Sequence, residues 1–289
     1  MIISSSRRTD IPSYYSDWFF NRIKAGFVMV RNPRNFNQVK NMSLASEDVD
    51  CIVFWTKNPA PMVDKLDILK EYMYYFQFSI TPYGRDVEAN LPSKTDAIIP
   101  TFKNISSLIG ADRLIWRYDP ILINAKYTTE YHLQSFEKIA KELQNHTKQV
   151  IISFVDIKYQ GLKRNTKELA LSDFPRQAQL KLAEQLANTA QAYGLKINAC
   201  AEEADLRQFG IGQAKCIDGE LIENLLDRSL SLKKDNNQRA NCGCASSVDI
   251  GMYNTCKNGC KYCYANYNPG LIDRNYNVHN ITSPFLISE

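Results

Sequence analysis

An α/β fold closed into a TIM-like (β/α)8 barrel is the architecture this sequence predicts, on three observations. Short β-rich runs alternate with helical patterns, which implies parallel β-α units. Seven or eight such units can be counted, which favours a closed barrel over an open sheet. The 289 residues suit one large unit of that kind.

The strands expected are Ile2–Ser5, Phe27–Arg31, Cys51–Thr56, Tyr74–Thr81, Arg113–Arg117, Val150–Asp156 and Lys196–Ala201, with a short eighth near Lys215–Ile217. Two helices stand out between them. In Thr129–Gln144, Leu133, Phe136, Ala140 and Leu143 recur at helical spacing; in Arg176–Tyr193, Leu182, Leu186 and Ala190 form one stripe, with Gly194 as its stop. The barrel is expected over residues 1–230. From Ser231 the composition turns polar and reads as a linker, so residues 231–289 form a cysteine-rich cap. Too few residues follow the last cysteine for another domain, and the cap is expected to dock on the barrel mouth as part of one structural unit.

Hydrophobic residues make up 44% and charged residues 23% of the chain, enough for a core and without a disorder signature. No apolar run reaches the length of a membrane span, and the N-terminus has no signal-peptide pattern. A cytoplasmic protein with no membrane partner is expected. The formal charge of +4 biases weakly toward anionic partners and is far from that of a dedicated nucleic-acid binder, so nucleic acid is an unlikely partner.

The strand ends carry the first functional signal. Ile2–Ser6 runs into Arg7, Arg8 and Asp10; Ile52–Phe54 leads to Lys57; Leu114–Trp116 leads to Arg117 and Asp119; Ile197–Ala199 leads to Cys200, Glu202 and Glu203. In a barrel these ends share one mouth. Any single charge leaving a strand is an ordinary solvated loop position, but together they suit a pocket for a small or anionic substrate. Arg7, Arg8, Lys57 and Arg117 make it cationic, matched to a carboxylate or phosphate. Asp119, Glu202 and Glu203 are candidate acid–base groups, set against the plainer reading of a solvated acidic face.

Five of the eight cysteines lie between Asn241 and Asn266. Clustered cysteines without a secretory pattern favour metal over disulfide. Cys256, Cys260 and Cys263 are spaced Cys-x3-Cys-x2-Cys, with Tyr262 and Tyr264 flanking the third. Such a loop places three thiolates on a [4Fe-4S] cubane and leaves one iron without a protein ligand, unlike a closed four-cysteine site. The two tyrosines are candidates to line the cofactor pocket, with packing as the plainer role. Cys51, in an apolar strand, reads as a small buried hydrophobe. Cys200, Cys216, Cys242 and Cys244 then remain, enough for a second cluster or a zinc site; the alternative is that Cys200 and Cys216 only pack. Zinc alone, as a staple of the whole segment, is the rival to any cluster.

The string Cys256-Lys-Asn-Gly-Cys-Lys-Tyr-Cys263-Tyr-Ala resembles the radical S-adenosylmethionine signature, most closely its spore-photoproduct-lyase-like form. That resemblance implies S-adenosylmethionine bound at the open iron, an external electron donor, and hydrogen abstraction in a dry pocket, with Glu203 a candidate for the methionyl amine. Over nearly its whole length the chain is also similar to an uncharacterised bacterial family catalogued as domain of unknown function 1848. This rests on Ser6-Arg-Arg-Thr-Asp-Ile-Pro12, Val53-Phe-Trp-Thr-Lys-Asn-Pro59, Trp116-Arg-Tyr-Asp-Pro120, Cys200-Ala-Glu-Glu203 and the segment from Lys233 to Asn266. The function expected is an iron–sulfur enzyme of radical S-adenosylmethionine type. Its rivals are a non-catalytic protein with a metal staple and a lyase-like enzyme acting on nucleic acid.

Overall fold

The computed structural model describes residues 1–155, 167–200, 202, 205–236, 238 and 242–288. Its centre is a parallel sheet of eight strands: β1 Ile2–Ser5, β4 Cys51–Thr56, β5 Tyr74–Ser79, β6 Leu114–Ile121, β7 Gln149–Phe154, β8 Lys196–Ala199, β9 Gly212–Gln213 and β10 Val248–Asp249. The order across the sheet is β10-β1-β4-β5-β6-β7-β8-β9.

This order corrects the expected barrel. The sheet is open: its edges are β9 and β10, each two residues long, and no ladder joins them among the described residues. One of the strands counted toward closure also lies elsewhere. β2 (Phe27–Asn32) pairs antiparallel with β3 (Asn35–Ser43) in a separate two-stranded ribbon. Near Lys215–Ile217 the strand is instead the preceding Gly212–Gln213. The cysteine-rich segment supplies β10, which pairs with β1 through Ile3–Val248 and Ser4–Asp249.

Both sheet faces are buried, as the near-continuous apolar strands require. Alternation divides them. Ile3, Ile52, Phe54, Phe76, Trp116 and Ile152 face the larger core. There they meet helices α1 (Ile11–Tyr14), α2 (Ser16–Ala25), α3 (Ile99–Ile109), α4 (Thr129–Leu143) and α5 (Arg176–Ala192). Ile2, Val53, Tyr75, Ile115 and Ile151 face the other way. They are covered by residues 214–232, which include α6 (Gly219–Leu226), and by Cys242, Cys244 and Ala245. That covering segment takes the place of a barrel interior filled by strand side chains alone.

The C-terminal tail, beyond α7 (Pro269–Asn277), is strapped to α2 and the ribbon. Trp18 donates its indole N–H to the Ser283 carbonyl at 2.9 Å, Arg22 donates to Thr282 O at 3.0 Å, and Met29 N–H to Pro284 O at 2.9 Å. Among the described residues no helix is long and apolar enough to cross a membrane.

Candidate functional site

In open parallel sheets, ligands meet the carboxyl ends of the strands. Here the loop after β1 is shaped by Asp249 of β10. Its carboxylate accepts from Ser4 Oγ (3.2 Å), Ser6 Oγ (2.6 Å), Arg7 N (2.9 Å) and Gly251 N (3.0 Å). The approach is close enough to require glycine at 251, where a Cβ would stand 2.0 Å from Ser6 Oγ. Asp10 caps α1 by accepting from Ser13 N (3.1 Å). It also accepts from Lys57 N (2.8 Å) and Asn258 Nδ2 (2.9 Å). One buried carboxyl thus ties the ends of β1 and β4 to the cysteine loop. Burial lifts it above the usual carboxylate range in spite of those bonds.

The cysteine loop adds itself to the segment after β5. Glu88 and Cys260 form an antiparallel bridge, Lys261 N donates to Val87 O (2.9 Å) and Asn90 N to Asn258 O (3.1 Å). Gly259, at φ +67, turns the loop where a side chain would crowd Ala89. The Glu88 side chain is 1% exposed and is met by Thr81 Oγ1 (2.7 Å), Lys57 Nζ (2.9 Å), Lys94 Nζ and the Tyr262 hydroxyl. Burial alone would raise its pKa, but Lys57 and Lys94 hold it at about 2. Sequence reasoning missed Glu88, which follows the end of β5 as the selected groups follow theirs.

Three thiols sit against this network. Cys256 is buried; Cys260 and Cys263 are partly so. Burial pushes all three thiols up, while Lys57 favours the thiolate of Cys260. They lie close enough to disfavour one another's ionisation. Cys260 packs on the apolar cluster of Tyr83, Val87, Leu122, Tyr127, Leu169 and Tyr262. Asn266 donates to Cys263 Sγ (3.5 Å) and accepts from Cys256 N (3.3 Å). Tyr14 donates to Asn258 Oδ1 (3.0 Å), Tyr15 to Thr255 O (2.6 Å) and Tyr264 to Arg7 O (3.0 Å). Among the described residues no three His, Cys, Asp or Glu side chains form a cage for one ion. The donor set here, three soft sulfurs on one short loop with a lysine alongside, fits a cluster that takes three thiolates.

Arg117 gathers a second group. It is bound to Asp119 through Nε (3.1 Å) and Nη2, and donates from Nη1 to Gln77 Oε1 (3.2 Å) and Cys216 Sγ (3.2 Å). Asp119 also accepts from Ser153 Oγ. Arg7 and Arg117 each lie 5.3 Å from the centre of the Trp55 ring. Cys216 Sγ is 3.3 Å from Cys200 Sγ, and both share an apolar cluster with Cys242 and Cys244. Glu202 accepts from Phe154 N at 2.8 Å. Glu203 and Asp156 lie outside the described residues.

The expected cations are therefore mostly paired: Lys57 with Glu88, Arg117 with Asp119, and Arg7 with Asp235 at 3.7 Å. Arg8 differs. It makes no salt bridge among the described residues, lies over Tyr253 at 5.5 Å, and lines a cleft of about 210 Å³ with Arg31, Tyr253, Tyr267 and Phe285. A second cleft of the same size, beside Glu88, is lined by Tyr83, Arg85, Leu91 and Lys94.

The model of the family described as domain of unknown function (DUF1848) matches residues 2–265, and the chain belongs to that family. No curated protein matches it.

Proposed function

We propose that this member of the family is a cytoplasmic iron–sulfur protein in which Cys256, Cys260 and Cys263 hold a [4Fe-4S] cluster, and that it is a radical S-adenosylmethionine-type enzyme acting on a small anionic substrate. The observation that carries the reading is the thiol trio, Cys256 buried and Cys260 and Cys263 partly so, against Lys57, Glu88 and Tyr262 at the carboxyl ends of the strands. When bound, such a cluster supplies an electron and an iron with a free position for the methionyl group. An external electron donor completes the requirement.

The chain's own residues do the rest. Asp10, Tyr14 and Tyr15 fix the loop from outside, so its thiols are held before metal arrives. Lys57 offsets thiolate charge at Cys260, and Glu88 keeps Lys57 in place. The tyrosine cluster packed against Cys260 gives the site an apolar wall that limits water, as reactive intermediates demand. Arg8, in its aromatic-lined cleft, is the cation best placed to take an anionic group from solution.

The test is anaerobic reconstitution and reduction, followed by S-adenosylmethionine and an assay for 5′-deoxyadenosine. Product formation is expected. The pairing of Lys57, Arg7 and Arg117 with acids favours a second reading, a non-catalytic protein whose metal is a staple. A reconstituted cluster that yields no 5′-deoxyadenosine and an unaltered paramagnetic spectrum on adding S-adenosylmethionine would select that second reading.

A further inference from the structure

We propose that Cys200, Cys216, Cys242 and Cys244 are the ligands of one structural zinc ion, independent of the cluster at Cys256, Cys260 and Cys263. The four come from the carboxyl end of β8, the turn after β9 and the segment leading to β10, and none is in a disulfide. Yet all four pack into one apolar cluster, with Cys200 Sγ 3.3 Å from Cys216 Sγ and Cys244 Sγ accepting from Ile217 N at 3.5 Å. Cys216 and Cys244 are buried, while the partly exposed Cys242 gives an ion a way in.

Spacing decides the metal. A tetrahedral zinc with bonds of about 2.3 Å keeps its sulfurs roughly 3.8 Å apart. The 3.3 Å contact therefore opens by about half an ångström to reach zinc spacing. A cubane has several metals between its ligands and needs thiols much further apart than the Cys200–Cys216 contact. The four thiols do not stand as a finished cage, since no three metal-ligating side chains are placed to hold one ion among the described residues. Closing on the ion draws the four into a tetrahedron and releases the remaining thiol protons to solvent.

The surroundings suit four thiolates on a dication, a group of charge −2. Arg117 already donates to Cys216 Sγ at 3.2 Å, and Ile217 N–H to Cys244 Sγ at 3.5 Å. Arg7, like Arg117, lies 5.3 Å from the centre of the Trp55 ring, which packs on this cluster. Both cations also face carboxylates, Arg117 at Asp119 and Arg7 at Asp235, so they offset the site's charge in part. Arg7 Nη2 and Trp55 Nε1 are buried with no hydrogen-bond partner among the described residues, two donors left over beside this group. The ion would fasten residues 214–232 and Ala245 over the sheet face that they cover.

Metal content of the full chain, purified anaerobically, tests this. About one zinc per chain is expected in the wild type and equally in Cys260→Ala, which separates this site from the proposed cluster. Cys216→Ala and Cys244→Ala should each lower zinc more than tenfold. Should those variants not fold, alkylation of the wild type with and without chelator, read by mass spectrometry, should show all four cysteines protected only when zinc is present. Zinc retained in both variants, equal alkylation in both states, or a Cys200–Cys216 disulfide without zinc would overturn the proposal. So would about eight irons and no zinc, the content of two cubanes.

Discussion

Glu88 concentrates the energetics of the site in one side chain. Removing a buried group's charge partner leaves the partner uncompensated, at about 3–5 kcal/mol. Glu88→Ala strands both Lys57 and Lys94 and should lose stability of that order, while Glu88→Gln, which keeps acceptors for Thr81 and Tyr262, should lose less. Urea unfolding of the anaerobic protein measures both; an alanine variant as stable as the wild type would show that the network is dispensable. Gly251→Ala should cost about 1–3 kcal/mol by overpacking against Ser6, read from the same curves. Neither role was legible beforehand. A glutamate in a polar loop reads as solvated, and nothing local shows that Lys57 and Tyr262, from distant segments, converge on it alongside Lys94. Asp10 was selected as a pocket group for its place after β1, yet its oxygens are committed to the α1 cap, Lys57 N and Asn258.

Helix α4 carries a pH-sensitive bond. His132 is fully buried, pairing Nδ1 with the Tyr118 hydroxyl (2.9 Å) and Nε2 with Leu122 O (2.9 Å). Burial lowers its pKa from 6.5 to about 4. The unfolded chain therefore takes up a proton between these values that the folded chain refuses. This contribution is whole above about pH 6.5 and is lost as pH falls toward 4, by roughly 3 kcal/mol in all. The stability difference between wild type and His132→Gln should vary with pH across that window; a difference independent of pH would contradict the assignment. This helix was legible because its apolar stripe repeats at helical spacing, as was α5. Strand β2 was legible as a strand for its composition, but its partner was not. Pairing with β3 is a tertiary choice, and β3, polar and largely exposed, carries little apolar signal.

Closure of the sheet is a property of the whole molecule, and this explains why the barrel expectation failed. Alternating strands and helices describe open and closed parallel sheets alike; what differs is whether the last strand reaches the first. Here the C-terminal segment supplies β10 beside β1, and residues 214–232 with Cys242, Cys244 and Ala245 fill the face that a barrel would enclose. Carboxyl ends of parallel strands gather on one edge in both architectures. Cys200, Cys216, Cys242 and Cys244 were set together only by subtraction, since their sharing one apolar cluster depends on the path of the covering residues. The central claim is that Cys256, Cys260 and Cys263 grip one cubane. Iron and labile sulfide per chain after anaerobic reconstitution, with the visible spectrum, test it most directly in wild type and Cys260→Ala. About four irons and four sulfides are predicted in the wild type, with visible absorption that is bleached in the variant. A colourless wild type holding only zinc, or a variant with unchanged iron and spectrum, would contradict it.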